Sequence, residues 1–183
     1  LARARDSLEQ IRPLYREGLK HDSSRAEAYN NLGICYRKLG RVQEAREAYE
    51  TAIRLKPHFP EVYNNLGWLL LETGDVERAI DGFKNGLALA PKTRHIWTNL
   101  AWAYYVNGDY PLAIETNRAV LKEYPADLYA RYNLALAYLC SGNLDNAERE
   151  YKAAYNLTSR PDEPAYISAV NDLHNLLKNG TRP

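Results

Sequence analysis

Apolar positions along this chain of 183 residues recur with the spacing of amphipathic helices, and the helices come in matched pairs. Over residues 26–59, Tyr29, Leu32, Gly33 and Tyr36 fall at i, i+3, i+4 and i+7, one stripe of a helix. Gly40 then predicts a helix end, because glycine takes the left-handed C′ conformation cheaply. A second stripe follows at Ala45, Ala48, Tyr49, Ala52 and Ile53, and Pro57 closes it, since proline cannot continue the hydrogen-bond ladder. The whole pattern repeats with a step of 34: Gly40, Gly74, Gly108 and Gly142; Asn31, Asn65, Asn99 and Asn133; Leu32, Leu66, Leu100 and Leu134; Ala45, Ala79, Ala113 and Ala147. Pro57, Pro91 and Pro125 keep the same step. Each unit therefore predicts helix, tight turn, helix, and Pro111, just after Gly108-Asp109-Tyr110, suits the first turn of a helix.

Small residues predict how the two helices of a unit meet. Gly33, Gly67, Ala101 and Ala135 hold one register of the first helix, and the alanines at 45, 79, 113 and 147 hold one register of the second. Small side chains let helix axes approach while Leu and Tyr fill the grooves around them. One pair cannot bury its apolar surface alone, so stacked neighbours supply the core.

This pattern resembles the tetratricopeptide-repeat family. The family's sequence of aromatic, Leu-Gly, Tyr, Ala, aromatic, Ala and Pro appears as Tyr29, Leu32-Gly33, Tyr36, Ala45, Tyr49, Ala52 and Pro57. The second unit matches with Tyr63, Leu66-Gly67, Ala79, Phe83 and Pro91, and the third with Trp97, Leu100, Tyr104, Ala113 and Pro125. The fourth has Leu134, Tyr138, Ala147, Tyr151 and Ala154. Departures are Asn117 at an aromatic register of the third unit, and Arg131 and Ser159 at the first aromatic and the proline of the fourth. They predict looser packing toward the C-terminus without a change of fold. The resemblance implies an all-α, right-handed superhelical solenoid of antiparallel helix pairs, with repeats over 26–59, 60–93, 94–127 and 128–161.

Both ends depart from the rhythm. Residues 1–25 fit the second half of an incomplete repeat, with Leu8, Ile11, Tyr15, Gly18 and Leu19 as its stripe. A chain that lacks Met and opens Leu1-Ala2-Arg3 is expected to be cut from something longer, or processed. Residues 162–183 carry a stripe of Ala169, Val170, Leu173, Leu176 and Leu177 opposite Asn171, Asp172, Asn175 and Lys178, which predicts a capping helix over the last repeat. That polar face lacks the Lys/Arg richness of a membrane-surface helix.

Composition then removes several function classes. With 24 Lys plus Arg against 23 Asp plus Glu, the net charge of +1 gives no field for a phosphate backbone, so no nucleic acid is expected. No apolar run reaches the roughly 18 residues of a membrane span. Cys35 and Cys140 lie about three repeats apart, beyond the roughly 5.5 Å Cα separation of a disulfide, so a reducing, cytoplasmic compartment is favoured. His21, His58, His95 and His174 show no ligand spacing, the glycines sit at helix ends and contacts, and no serine has a nucleophile-elbow context. No catalytic residue, metal or cofactor is expected.

The candidate site is the free face of each first helix, at offsets 2, 5, 6, 9, 12 and 13 of the unit, which in the resembling family lines the concave side. It carries Asn30, Asn31, Arg37 and Lys38 in the first unit, with Glu27 and Glu61 adding charge at that end, and Asn64, Asn65, Trp68 and Leu71 in the second. The third presents His95, Thr98, Asn99, Trp102 and Tyr105, and the fourth Tyr129, Tyr132, Asn133, Leu136 and Leu139. The recurring Asn has no propensity reason to keep one offset, and its amide offers a donor and an acceptor to a peptide backbone. In this the chain resembles the repeats of the O-linked N-acetylglucosamine transferase type. Equally, the same Asn can bond a neighbouring repeat and fix the stack, and both roles can hold. Trp68 and Trp102 share an offset and suit peptide anchors, with ordinary inter-repeat packing as the other reading. The face lacks the Lys/Asn constellation with which related domains clamp a C-terminal carboxylate of heat-shock chaperones.

These residues predict a non-catalytic scaffold that holds a peptide segment of a partner protein. Two rivals remain open at this point: self-assembly through the terminal helices, and service as the substrate-selecting arm of a larger enzyme such as a glycosyltransferase or kinase.

Overall fold

The computed structural model describes residues 26–157; the half-repeat expected over 1–25 and the capping helix expected over 162–183 lie outside them. Among the described residues there are eight helices and no strand, so the all-α solenoid of paired helices is the observed fold. The first helices of the repeats are α1 (Ala26–Lys38), α3 (Pro60–Glu72), α5 (Arg94–Val106) and α7 (Leu128–Cys140). Their second helices are α2 (Val42–Leu55), α4 (Val76–Leu89), α6 (Tyr110–Glu123) and α8 (Leu144–Leu157). The chain divides after Thr93 into two units, one holding α1–α4 and the other α5–α8.

Every pair closes with the same turn. Gly40, Gly74, Gly108 and Gly142 have φ between +73° and +83°, and among the described residues no non-glycine has positive φ. At Gly40 the glycine N–H donates to the Arg37 carbonyl (3.0 Å) and the Arg41 N–H reaches back to the Tyr36 carbonyl (2.9 Å). This Schellman closure satisfies carbonyls that the end of α1 would otherwise leave bare. The Asp75, Asp109 and Asn143 N–H groups repeat the long bond, to Leu70, Tyr104 and Tyr138, each at 2.9 Å. Pro60 and Pro111 sit in the first turns of α3 and α6, where no N–H is missed.

In three of the four repeats the core is built by an aromatic ring of the second helix set against a small residue of the first. A Cβ on Gly33 would stand 2.5 Å from the Tyr49 ring, and one on Gly67 would stand 2.8 Å from Phe83. Both rings are fully buried. In the second repeat Gly82 also faces the backbone of Gly67, so α3 and α4 touch nearly backbone to backbone. Tyr151 is buried in the fourth repeat, in a cluster with Leu134, Ala135, Tyr138 and Ala147.

The two departures inside the described residues differ in effect. Asn117, at the register of Tyr49 and Phe83, is 0% exposed. Its Nδ2 donates to the Ala113 carbonyl (2.9 Å), but its Oδ1 has no hydrogen-bond partner, so polarity has entered the core of the third repeat. Arg131 is instead well held: its guanidinium pairs with Glu150 of α8 (2.9 Å) and donates to the Pro125 carbonyl (2.8 Å). At that register an ionic tie between the helices replaces an aromatic contact. Asp127 caps α7 by accepting from the Ala130 N–H (2.9 Å), and its other oxygen takes a bond from Arg94 of α5 (2.6 Å).

Candidate functional site

Within each unit the two first helices lie side by side and share the face singled out from the sequence. The two faces have opposite chemistry.

The face of α1 and α3 is polar and internally paired. Asn65 Nδ2 donates to Asn30 Oδ1 across the repeat boundary (2.8 Å). Asn30 and Asn64 are both buried rather than open to a guest, and Asn30 is covered by the neighbouring α3. Asn31 is exposed and Asn65 half-buried. Arg37 pairs with Glu72 at 2.7 Å, also from α1 to α3, while Glu27 takes a 2.5 Å hydrogen bond from Lys56 of α2. That hydrogen bond holds the Glu27 carboxyl below the usual carboxylate range. Lys56 in turn stands over the Phe59 ring, 4.8 Å from its centroid. Two of the charges expected to orient a guest, Glu27 and Arg37, are thus already partnered. Trp68 is half-buried with its edge on Phe83 (6.3 Å between centroids, 80° between planes), and Leu71 is half-buried beside it in sequence. Part of the Trp68 ring therefore serves its own repeat.

The face of α5 and α7 is aromatic. Trp102 stacks on Tyr105 (5.1 Å, 26°), and Tyr105 leans on Tyr110 of α6 (5.9 Å, 51°). The Tyr105 hydroxyl meets Cys140 Sγ at 3.6 Å, which ties α5 to α7. Tyr132 packs toward Tyr151 (6.5 Å, 45°) and is half-buried, as are Asn99, Asn133 and Leu136, whereas Leu139 is buried. Tyr129 stands out at 79% exposed. Neither α5 nor α7 carries an Asp or Glu, and both of their arginines are engaged, Arg94 with Asp127 and Arg131 with Glu150.

Three contacts share a spacing that a strict 34-residue search passes over. Asn30 with Asn65, Arg37 with Glu72, and Tyr105 with Cys140 are each separated by 35. Within each unit the two first helices run the same way with a small stagger, so offset 5 meets offset 6 in the first unit and offset 12 meets offset 13 in both. Glu72 and Cys140 both hold offset 13 of the face, and looking one residue past the repeat length would have paired them with Arg37 and Tyr105.

Among the described residues no group of three or more His, Cys, Asp or Glu is placed to hold a metal ion, and no helix is long and apolar enough to cross a membrane. Cys35 and Cys140 are free thiols, and burial pushes the Cys35 thiol up.

A solenoid of glycine-closed helix pairs defines a repeat protein of the helix-pair class. The chain belongs to the tetratricopeptide-repeat family, whose models match residues 26–59, 64–127 and 98–164. No curated protein matches it. Among solved structures it is similar to MamA (24% identity, TM-score 0.77, covering 85% of this chain and 91% of that one). MamA from Desulfovibrio magneticus RS-1 is similar at 19% identity and TM-score 0.78, covering 87% and 90%. YrrB, described as a TPR protein with an unusual peptide-binding site, is similar at 22% identity and TM-score 0.75, covering 91% and 84%. At these identities the likeness is one of fold.

Proposed function

We propose that this chain is a non-catalytic interaction scaffold that binds a peptide segment of a partner protein on its first-helix faces. The observation that carries the reading is the open aromatic surface of α5 and α7, where Trp102, Tyr105 and the 79%-exposed Tyr129 present rings beside Asn99 and Asn133. Exposed aromatic surface of this kind marks interaction sites, and Trp and Tyr dominate binding hot spots. Tyr132 and Leu136 widen the apolar floor, and in the other unit Trp68, Leu71 and the exposed Asn31 offer a more polar place to engage a peptide. In this reading Asn31 of the first unit and Asn133 of the second each hydrogen-bond a peptide backbone, as in repeats of the O-linked N-acetylglucosamine transferase type. Asn65 is partly spent, since one of its amide hydrogens already serves Asn30. The peptide-binding YrrB, of like fold, is consistent with this use of the repeats.

The test is a peptide-array or pull-down screen with the full chain and its Trp68→Ala and Trp102→Ala variants. Loss of a true anchor costs about 2 kcal/mol or more of binding free energy. If every captured peptide binds both variants as tightly as the parent, the assignment of the guest to these faces is wrong.

A further inference from the structure

We propose that the α1–α3 face takes an extended peptide segment with one basic and one acidic side chain about five residues apart and an apolar side chain between them. The proposal rests on the reading of the first-helix faces as peptide-binding and states what this one selects.

Five charged residues lie on α1 and α3: Glu27, Arg37, Lys38, Glu61 and Glu72. Three are engaged, Arg37 with Glu72 and Glu27 with Lys56. Lys38 and Glu61 are exposed, and among the described residues neither side chain enters an ion pair or hydrogen bond. The pairs cancel, which leaves one open cation and one open anion on the face. A purely basic segment gains Glu61 but is repelled by Lys38, and a purely acidic one the reverse. A segment with one charge of each sign gains both attractions.

The two open charges stand at opposite ends of the face. Lys38 closes α1, and Glu61 is the second residue of α3. The helices run the same way, with Asn30 beside Asn65 and Arg37 beside Glu72. Lys38 and Glu61 are thus about twelve residues apart along the axes, about 18 Å at 1.5 Å per residue, or about 20 Å with the sideways step between helices. An extended chain covers that span in about six residues, and the reach of long side chains shortens it to about five. Between the charges the surface is apolar: Ile34 and Trp68 hold the same offset on α1 and α3, Leu71 lies one turn beyond Trp68, and all three are half-buried. The exposed Asn31 amide, near the middle of α1, offers a donor and an acceptor to an extended backbone. A helical guest has its backbone groups already paired and leaves that amide nothing to hold.

The experiment is isothermal titration of the full chain at pH 8, where an imidazole is neutral, so that the exposed His58 before α3 adds no charge. The probes are four capped Ser/Thr peptides of equal length with a central Leu: Lys and Glu five residues apart, two Lys at that spacing, two Glu at that spacing, and Lys and Glu two residues apart. The first is expected to bind at least about threefold tighter than each of the others in low salt, and the advantage should fade at high salt. Lys38→Glu should move the preference to the doubly basic probe, and Glu61→Lys to the doubly acidic one. Both residues are exposed, so melting curves should stay near those of the parent. Trp68→Ala should weaken every probe at least about tenfold, with Leu71→Ala as the second test of the floor should Trp68→Ala unfold. If the charge swaps leave the ranking as it was while the Trp68 or Leu71 change weakens binding, the face binds peptides without reading their charge, and this proposal alone is overturned. If no probe binds, or if neither the floor variants nor the charge swaps alter any affinity, the peptide-binding reading of α1 and α3 falls with it.

Discussion

The Asn65 amide donates across a repeat boundary to the buried Asn30 carbonyl oxygen at 2.8 Å, so a residue type that recurs on the candidate binding face also fastens one repeat to the next. Asn65→Ala would leave Asn30 Oδ1 without that partner. Its expected cost is about 1–2 kcal/mol, the desolvation penalty of an orphaned buried acceptor. Asn31→Ala, at the equivalent offset of the preceding repeat but exposed, should stay within about 0.5 kcal/mol of the parent. Urea unfolding of the two variants decides it, and equal losses would mean the bond has no role in the stack.

Gly33 is small because Tyr49 needs the space. Alanine in a helix gains about 1 kcal/mol over glycine, but here its Cβ would stand 2.5 Å from a ring with no freedom to retreat. Overpacking of this kind costs about 1–3 kcal/mol, so Gly33→Ala should be neutral to destabilising where propensity alone predicts a gain. Adding Tyr49→Leu should make the Gly33 change favourable. Additive effects in that thermal-melt cycle would show that the two residues do not compete for the same volume.

The expected weakness of the later repeats resolves into two different cases. Asn117 was legible as a lapse, and its bare Oδ1 is the physical form the lapse takes. Asn117→Leu removes that buried acceptor with a similarly branched side chain at a register that holds rings in the other repeats, and should raise stability by about 1 kcal/mol. A lower melting temperature would mean the carboxamide is satisfied in solution, for instance by a bound water.

Tyr49 ties stability to alkaline pH. Burial pushes its hydroxyl from 10.0 up to about 12, with Arg37 opposing the shift and Glu72 adding to it. The folded state therefore holds the proton more tightly than the unfolded chain. The contribution is fully present below pH 10 and is lost as pH rises toward 12, up to about 2 kcal/mol in total. Tyr49→Phe should lose less stability than the parent between these limits, measured by denaturant midpoints at stepped pH. Parallel curves would place the hydroxyl in contact with solvent.

Much of this was readable in the chain. Glycine at a fixed step fixed the turns, because only a left-handed C′ residue lets the next N–H reach back to the helix, and the apolar stripes placed all eight helices. Arg131 was misleading, since an arginine at an aromatic register reads as a weakness until Glu150, 19 residues on, is seen to face it. The candidate face was legible as a set of offsets but not in its detail. Whether Asn30 or Asn31 meets solvent depends on the stagger between neighbouring first helices, and so does the meeting of Tyr105 with Cys140. That stagger is an outcome of packing between repeats, which no single repeat contains.

The empty surroundings of the glycine tips have an engineering consequence. An added Cβ at Gly40, Gly74, Gly108 or Gly142 would meet nothing within 4 Å, so the only demand at each tip is the backbone's own handedness. Extra sequence spliced beside such a glycine would meet open solvent, provided the glycine and the residue after it stay together so that the N–H of that residue still reaches back to the helix. The four hairpin tips are therefore natural grafting points, where a fluorophore, an epitope or a whole folded passenger could be carried while the helical faces remain as they are.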